Sequence, residues 1–364
     1  MPKIHMKIFF TIIGFGLILM SCQNAGNPLV TNYKPKAISK SNDVVVVADP
    51  ELWKSEVGDT FRYYFESAYP ITPSPEPIFN LRYFTTRELT AEPLRKELRT
   101  YCILADLSDT LSETTQMIKN DYGEKKFNKI LRNDSTQTGA GRNKWAQDQL
   151  VIYMFGKGEQ SLIKAIQKNF NSVTNKIHEH DAQQIKANTY VSGRNLGLID
   201  KIRNNFLINV DVPGDYKEAL YMPEGDKMIW LRKDTKRAAL NLIIKKYKYT
   251  DIAQMSVANA IELTNDFGKY VESETLGSKL LVNDTDLPIL ENVKEINGNY
   301  TLEVRGIWEM DKDFMGGPFV SYLIPDTRTN SYIFVMSFVY APGKEKKQFL
   351  QEMEIVVNSF GFLK

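Results

Sequence analysis

The 364-residue chain has two cysteines, three histidines and almost no surplus of either charge, with 46 basic against 44 acidic residues. Each shortage excludes something. Cys22 and Cys102 cannot make a disulfide framework, so stability has to come from apolar burial, in a chain long enough for two cores. Balanced charge gives no electrostatic ground for nucleic-acid binding, and none is expected. The HExxH helix of zinc proteases is missing, because Ala182 stands four residues after His178 in the stretch Ile177-His-Glu-His-Asp181. Two histidines spaced two apart point to different sides of a helix. They read as a solvated helix surface, or else as members of a metal site completed by distant ligands. There is no GxSxG elbow. Gly139-Ala-Gly141 supplies two glycines of a GxGxxG cradle, but Lys144 holds the third position. Asp311-Lys-Asp313 with Gly316 imitates a calcium loop that fails at Met315 and Tyr322. Cys102 sits in the apolar run Tyr101 to Ala105 and reads as a buried, inert thiol. No catalytic residue, no metal and no cofactor is therefore assigned.

What is present begins at the amino terminus. Lys3 and Lys7 precede an apolar stretch of 13 residues, Ile8 to Met20, and then come Ser21 and Cys22. That run is shorter than the roughly 20 residues a spanning helix needs, and it has the order of a secretory signal. Leu19-Met20-Ser21-Cys22 resembles a bacterial lipobox. The expectation is a signal peptide over residues 1–21, removed as the Cys22 sulfur receives a diacylglyceryl group carrying palmitate-type chains. Each buried methylene contributes about 0.8 kcal/mol, so several chains on one residue hold where a single chain is marginal. Loss of the signal with its two lysines leaves basic and acidic residues equal in number. Residues 22–42 read as a flexible tether rich in Asn, Ser, Lys and Pro. No Asp follows Cys22 and no acidic run lies near it, which points to the outer membrane, facing the periplasm, with the cell surface as the other placement.

Apolar periodicity then divides the chain. Val44 to Val47 reads as a buried strand, and Trp53, Val57, Phe61 and Tyr64 as a helix that Gly58 breaks. Pro70, Pro73, Pro75 and Pro77 make a stiff loop. Alternation at Phe79, Leu81 and Tyr83, and the runs Tyr101–Leu107 and Leu150–Phe155, add strands, with a loop over Asn133–Asn143. Leu162 to Ile177 mark one face of a long helix. Strands are expected at Phe206–Val212, Lys227–Arg232 and, with a helix as the alternative, Ala238–Tyr247. A helix over Asp251–Val271 follows, then a connection over Glu272–Asn299. Three antiparallel strands, Thr301–Met310, Phe319–Ile324 and Ser331–Tyr340, precede a last helix with an apolar stripe from Phe349 to Phe360. The fold class is α+β: two α+β units, 43–195 (α/β in character) and 204–364, with mixed or antiparallel sheets covered by helices. The second resembles the sandwich of PsbP-like proteins, a likeness of fold alone.

The stretch RGIWEMDKDFMGGPFVS, Arg305 to Ser321, departs most from ordinary filler. Paired glycines permit close backbone approach before a strand, and Pro318 fixes the entry. Trp308, Met315, Gly316, Gly317, Pro318 and Phe319 are the candidate binding surface; the structural alternative is a tight connection under a buried Trp308. This stretch, with SFVYAPGKEKKQFLQEMEIVV, DPELWKSEVGD and PSPEPIF, resembles the domain-of-unknown-function 4837 family of bacterial lipoproteins from about Val44 to Phe360. The resemblance implies lipid anchoring and supplies no substrate, cofactor or catalytic residue. The expected function is a noncatalytic binding or envelope-assembly module, membrane-bound through its lipid and partnered by an envelope protein or glycan. The alternative is an envelope hydrolase that uses paired carboxylates, Glu309 or Asp311 among them, on glycan or peptidoglycan.

Overall fold

Val44 to Val47 form a strand because β-branched side chains suit a pleated surface, and all are buried because both faces of their sheet are covered. The computed structural model describes residues 34–132, 137–225 and 227–363; the signal segment, Cys22 and most of the tether lie outside them. The first half runs β1 (Asp43–Val47), α1 (Pro50–Lys54), α2 (Glu56–Phe65), β2 (Asn80–Phe84), α3 (Thr86–Ala91), β3 (Thr100–Asp106), α4 (Glu113–Tyr122), α5 (Glu124–Arg132), β4 (Thr138–Arg142), β5 (Leu150–Gly156) and the long α6 (Glu159–Thr189). Its sheet has the order β2-β1-β3-β5-β4, parallel except for β4 at one edge. Alternate residues feed two cores. Val44, Val46, Cys102 and Ile152 pack with Phe61, Phe65 and Leu162 of α2 and α6, whereas Val45, Tyr101, Ile103 and Val151 pack with Ile118 and Phe127 of α4 and α5.

The second half comprises α7 (Leu196–Phe206), β6 (Ile208–Asn209), β7 (Lys217–Met222), β8 (Met228–Asp234), β9 (Ala239–Lys248), α8 (Val257–Gly268), β10 (Leu280–Asn283), β11 (Leu290–Ile296), β12 (Asn299–Met310), β13 (Asp313–Asp326), β14 (Ser331–Tyr340), α9 (Lys347–Val357) and β15 (Gly361–Phe362). Seven strands form an antiparallel path, β10-β12-β13-β14-β9-β8-β7, and β11 also pairs with β12. α7 and α9 cover the face carrying Ile244, Val320 and Ile333. α8 covers the other, with Trp230, Trp308 and Phe334. The architecture is α+β.

Several elements differ from the sequence reading, each for a local reason. The break after Trp53 falls at Ser55, whose Oγ accepts the Val57 N–H at 3.3 Å. Gly58 lies inside α2, where a Cβ would come within 2.0 Å of the Trp53 carbonyl oxygen. The expected loop at 133–143 contains β4, whose Gly139 passes beneath the Tyr122 hydroxyl; residues 133–136 lie outside the described residues. Phe206–Val212 is not a long strand: Phe206 ends α7, Leu207 takes a left-handed φ of 59°, and only Ile208–Asn209 pair, with β15. Leu198, Ile202 and Phe206 follow the helical period and outweigh the local apolar run. The connection at 272–299 holds β10, a four-residue strand with Leu280 and Val282 buried, and β11; β11 and β7 bury too little to show alternation.

Pro35–Lys364 pack as one compact unit, and its halves share a polar seam. Tyr69, from the proline-rich loop, is buried in the core beneath α7 and α9. The Glu76 carboxylate accepts the Lys346 and Lys347 backbone N–H groups at 2.7 and 2.8 Å, capping α9 from the other half. The buried Lys347 ammonium donates to the Pro77 and Ile78 carbonyls. Asn42 and Gln351 exchange amide hydrogen bonds at 2.8 and 3.0 Å.

Candidate functional site

The MGGPF string belongs to β13 and not to a turn before it. Trp308 of β12 lies opposite Gly317, Glu309 opposite Gly316 and Ile307 opposite Pro318, and pairing with β14 starts one residue later at Phe319. A proline is tolerated there because the β14 ladder has not begun. The Trp308 indole is buried and donates from Nε1 to the Val339 carbonyl at 3.3 Å. A Cβ on Gly317 would stand 2.0 Å from that same oxygen and 3.1 Å from Trp308 Nε1. The glycine thus makes room for the strand crossing and the indole bond together. Phe319 packs over Gly306 on the neighbouring strand.

A cleft of about 670 Å³ opens at this end of the sheet, between the β12–β13 hairpin, the loop after β10 and Pro73 of the proline-rich loop. Trp308, Met315, Gly316 and Gly317 line it; Pro318 and Phe319 are buried, and Phe319 belongs to the core beneath α8. Phe314, which the sequence reading did not single out, is wholly exposed at the cleft, and Leu287 is partly so. Glu309, Asp311 and Asp313 also line the wall. The Lys279 N–H and then the Ser278 hydroxyl hold the Asp311 carboxyl below its ordinary value. The Ser273 and Thr275 hydroxyls do the same for Asp313. Both carboxylates are kept ionised, the wrong state for a general acid at neutral pH. Glu309 Oε2 accepts from the Asn283 amide at 3.0 Å.

A second cleft, of about 500 Å³, lies at the carboxyl ends of β1 to β3. The strand order reverses between β1 and β3, the position at which open α/β sheets bind ligands. Its acids are already engaged: Asp49 accepts the Ser112 and Thr114 hydroxyls at 2.7 and 2.6 Å, Glu113 pairs with Arg87 at 2.8 Å, and Asp109 accepts the Leu111 and Ser112 N–H groups. These bonds fasten α4 to the strand ends.

The histidines are not a solvated surface. His178 packs on Phe79 with ring centroids 5.2 Å apart, and His180 is buried. Burial, then Arg99 and Arg142, push the His180 imidazole down to about 4. Burial pushes the neighbouring Asp181 carboxyl up to about 6, against the Asn42 N–H at 2.7 Å and the Arg99 guanidinium. No cluster of metal-ligating side chains occurs among the described residues. No described helix is long and apolar enough to cross a membrane.

Two family models match the chain in succession. Residues 37–190 match a domain of unknown function, DUF8532, and residues 195–359 match another, DUF4837. The resemblance read from Val44 to Phe360 is met by DUF4837 only in the second half, and DPELWKSEVGD and PSPEPIF fall within the DUF8532 match. No curated protein sequence matches the chain. Similar solved structures include the Saccharomyces cerevisiae Ran-binding protein Mog1p, 12% identical, with a TM-score of 0.30 over 43% of this chain and 91% of that one. A point mutant of Mog1 gives 12% and 0.28 over 43% and 92%. The lipid transfer and protein localization domain of human StarD13 gives 12% and 0.20 over 45% and 95%.

Proposed function

From membership of the DUF4837 family over residues 195–359, we propose that the chain is a lipid-anchored envelope lipoprotein of the outer membrane, a noncatalytic binding or assembly module. The cleft at the β12–β13 hairpin is its binding site. The carrying observation is that cleft itself, which sets the exposed Phe314 beside Met315 over a floor of buried Trp308 and paired glycines. An exposed aromatic beside a pre-formed apolar recess is the kind of feature that partners dock upon. Cys22 is the proposed anchor and lies outside the described residues.

The hydrolase reading draws on the three carboxylates lining the same cleft, but two of them are held ionised by hydrogen bonds. The test is a photo-crosslinking residue at position 314 in intact envelopes, with position 63, another exposed aromatic, as control. One stoichiometric protein adduct from 314 and none from 63 supports the module. Equal labelling of both positions, or cleavage of peptidoglycan by the purified chain that Glu309→Gln abolishes, overturns it.

A further inference from the structure

We propose a second binding site, for a phosphate-bearing ligand, in the pocket where α7 ends against β8, β9 and the β13–β14 turn. The pocket holds about 500 Å³, a size suited to a small phosphorylated group. Lys246 and Lys248 are two apart on β9, so they project to one face. The Lys246 N–H bonds to the Lys227 carbonyl across the β8–β9 pair, which sets Lys227 beside them. That face is the one covered by α7 and α9, and α7 stops at Phe206, leaving the three lysines at its end.

No carboxylate is among the described residues lining the pocket, and none of the three ammonium groups has a side-chain partner among the described residues. Like charges facing one another across adjacent strands destabilise a sheet. In a chain of balanced charge, three cations with no carboxylate among the described lining residues are a specific departure; Asp226, between Gly225 and Lys227, lies outside the described residues. Neutral donors complete the lining: the Asn204 and Asn330 amides and the Ser331 hydroxyl. Point charges from lysine with neutral hydrogen-bond donors suit a phosphate, which offers nearly two negative charges and three acceptor oxygens. The nearest carboxylate on that turn, Asp326, is engaged by Arg328 and Thr329.

The structural alternative is that the lysines complement the negative C-terminal end of α7. The two accounts differ in sign. If the lysines await an anion, Lys227→Gln/Lys246→Gln raises the melting temperature of the unliganded protein; if they serve α7, it lowers it.

The ligand is tested by calorimetric titration of the full chain with inorganic phosphate and with dihexanoyl phosphatidylglycerol below its micelle concentration. Saturable binding, weakened about tenfold per lysine removed and lost in high salt, is expected. Tighter binding of phosphate identifies a free phosphate ligand, and tighter binding of the lipid a headgroup. Absence of saturable binding of both, binding unchanged in the double variant, or a lowered melting temperature of that variant overturns the proposal.

Discussion

Gly317→Ala is the sharpest test of how the β12–β13 strand pair is built. The added methyl would stand 2.0 Å from the Val339 carbonyl oxygen and 3.1 Å from Trp308 Nε1. Ordinary contact needs about 3.5 Å, so the β14 backbone has to retreat by roughly 1 Å or more. Two costs follow. Overpacking against a backbone that cannot rotate away costs about 1–3 kcal/mol. Pushing Val339 from the indole breaks the 3.3 Å hydrogen bond and strands a buried donor, another 1–3 kcal/mol. We expect a loss of about 3–4 kcal/mol, read as a lower urea midpoint at unchanged slope, with tryptophan fluorescence reporting the site. Gly361→Ala, where a Cβ meets nothing within 4 Å, is the control and should change little. In a Trp308→Phe background the alanine should cost less, because the indole bond is already gone while the carbonyl clash persists. A Gly317→Ala protein within about 0.5 kcal/mol of the parent would refute the reasoning.

Glu76→Gln should destabilise by about 3 kcal/mol, since one carboxylate bonds two backbone N–H groups at the start of α9; a urea midpoint equal to that of the parent would count against the cap. His180 and Asp181 oppose each other in pH dependence. The folded-state value of His180 is depressed, so its stabilisation holds above its ordinary value and is lost as pH falls toward 4; that of Asp181 is raised, so its stabilisation is present below its ordinary value and lost as pH rises through about 6. The raised Asp181 value offsets only part of the loss that His180 and the likewise depressed His178 bring as pH falls, so the parent should be flatter than the Asp181→Asn variant. Asp181→Asn should lose stability on acidification from pH 6.5, at up to about 1.4 kcal/mol per pH unit, and a flat profile for that variant would reject the pairing. Cys22→Ala should accumulate as an unprocessed, mislocalised precursor, whereas normal processing and outer-membrane fractionation would defeat the anchoring proposal.

What could be read from the sequence followed from how strongly each element is buried. Val44–Val47, Leu150–Phe155 and the stripe of α9 stood out because nearly every residue there, or every third and fourth, faces a core. β7, with no buried residue, and β11, with only Ile296 buried, gave no such pattern. Helical spacing at Leu198, Ile202 and Phe206 was available in the sequence, yet the run Phe206–Val212 masked it. The MGGPF string was visible as unusual, and its reason was not. Val339, the group that Gly317 must clear, is brought near only by the β13–β14 pairing. Glu76 looked like one acid among many until α9 was laid against it, and Lys227 joins Lys246 only through strand register.

The reach of Glu76 and Tyr69 into the opposite half bears on how such a protein can be cut or recombined. A fragment ending near residue 190 would expose the aromatic ring that the other piece is shaped to hold, and the complementary fragment would begin life with a helix lacking its stopper. Swapping either portion for a cousin's would succeed only where loop and helix had changed together, so inheritance should treat the pair as a single hand-in-glove unit despite its two family signatures.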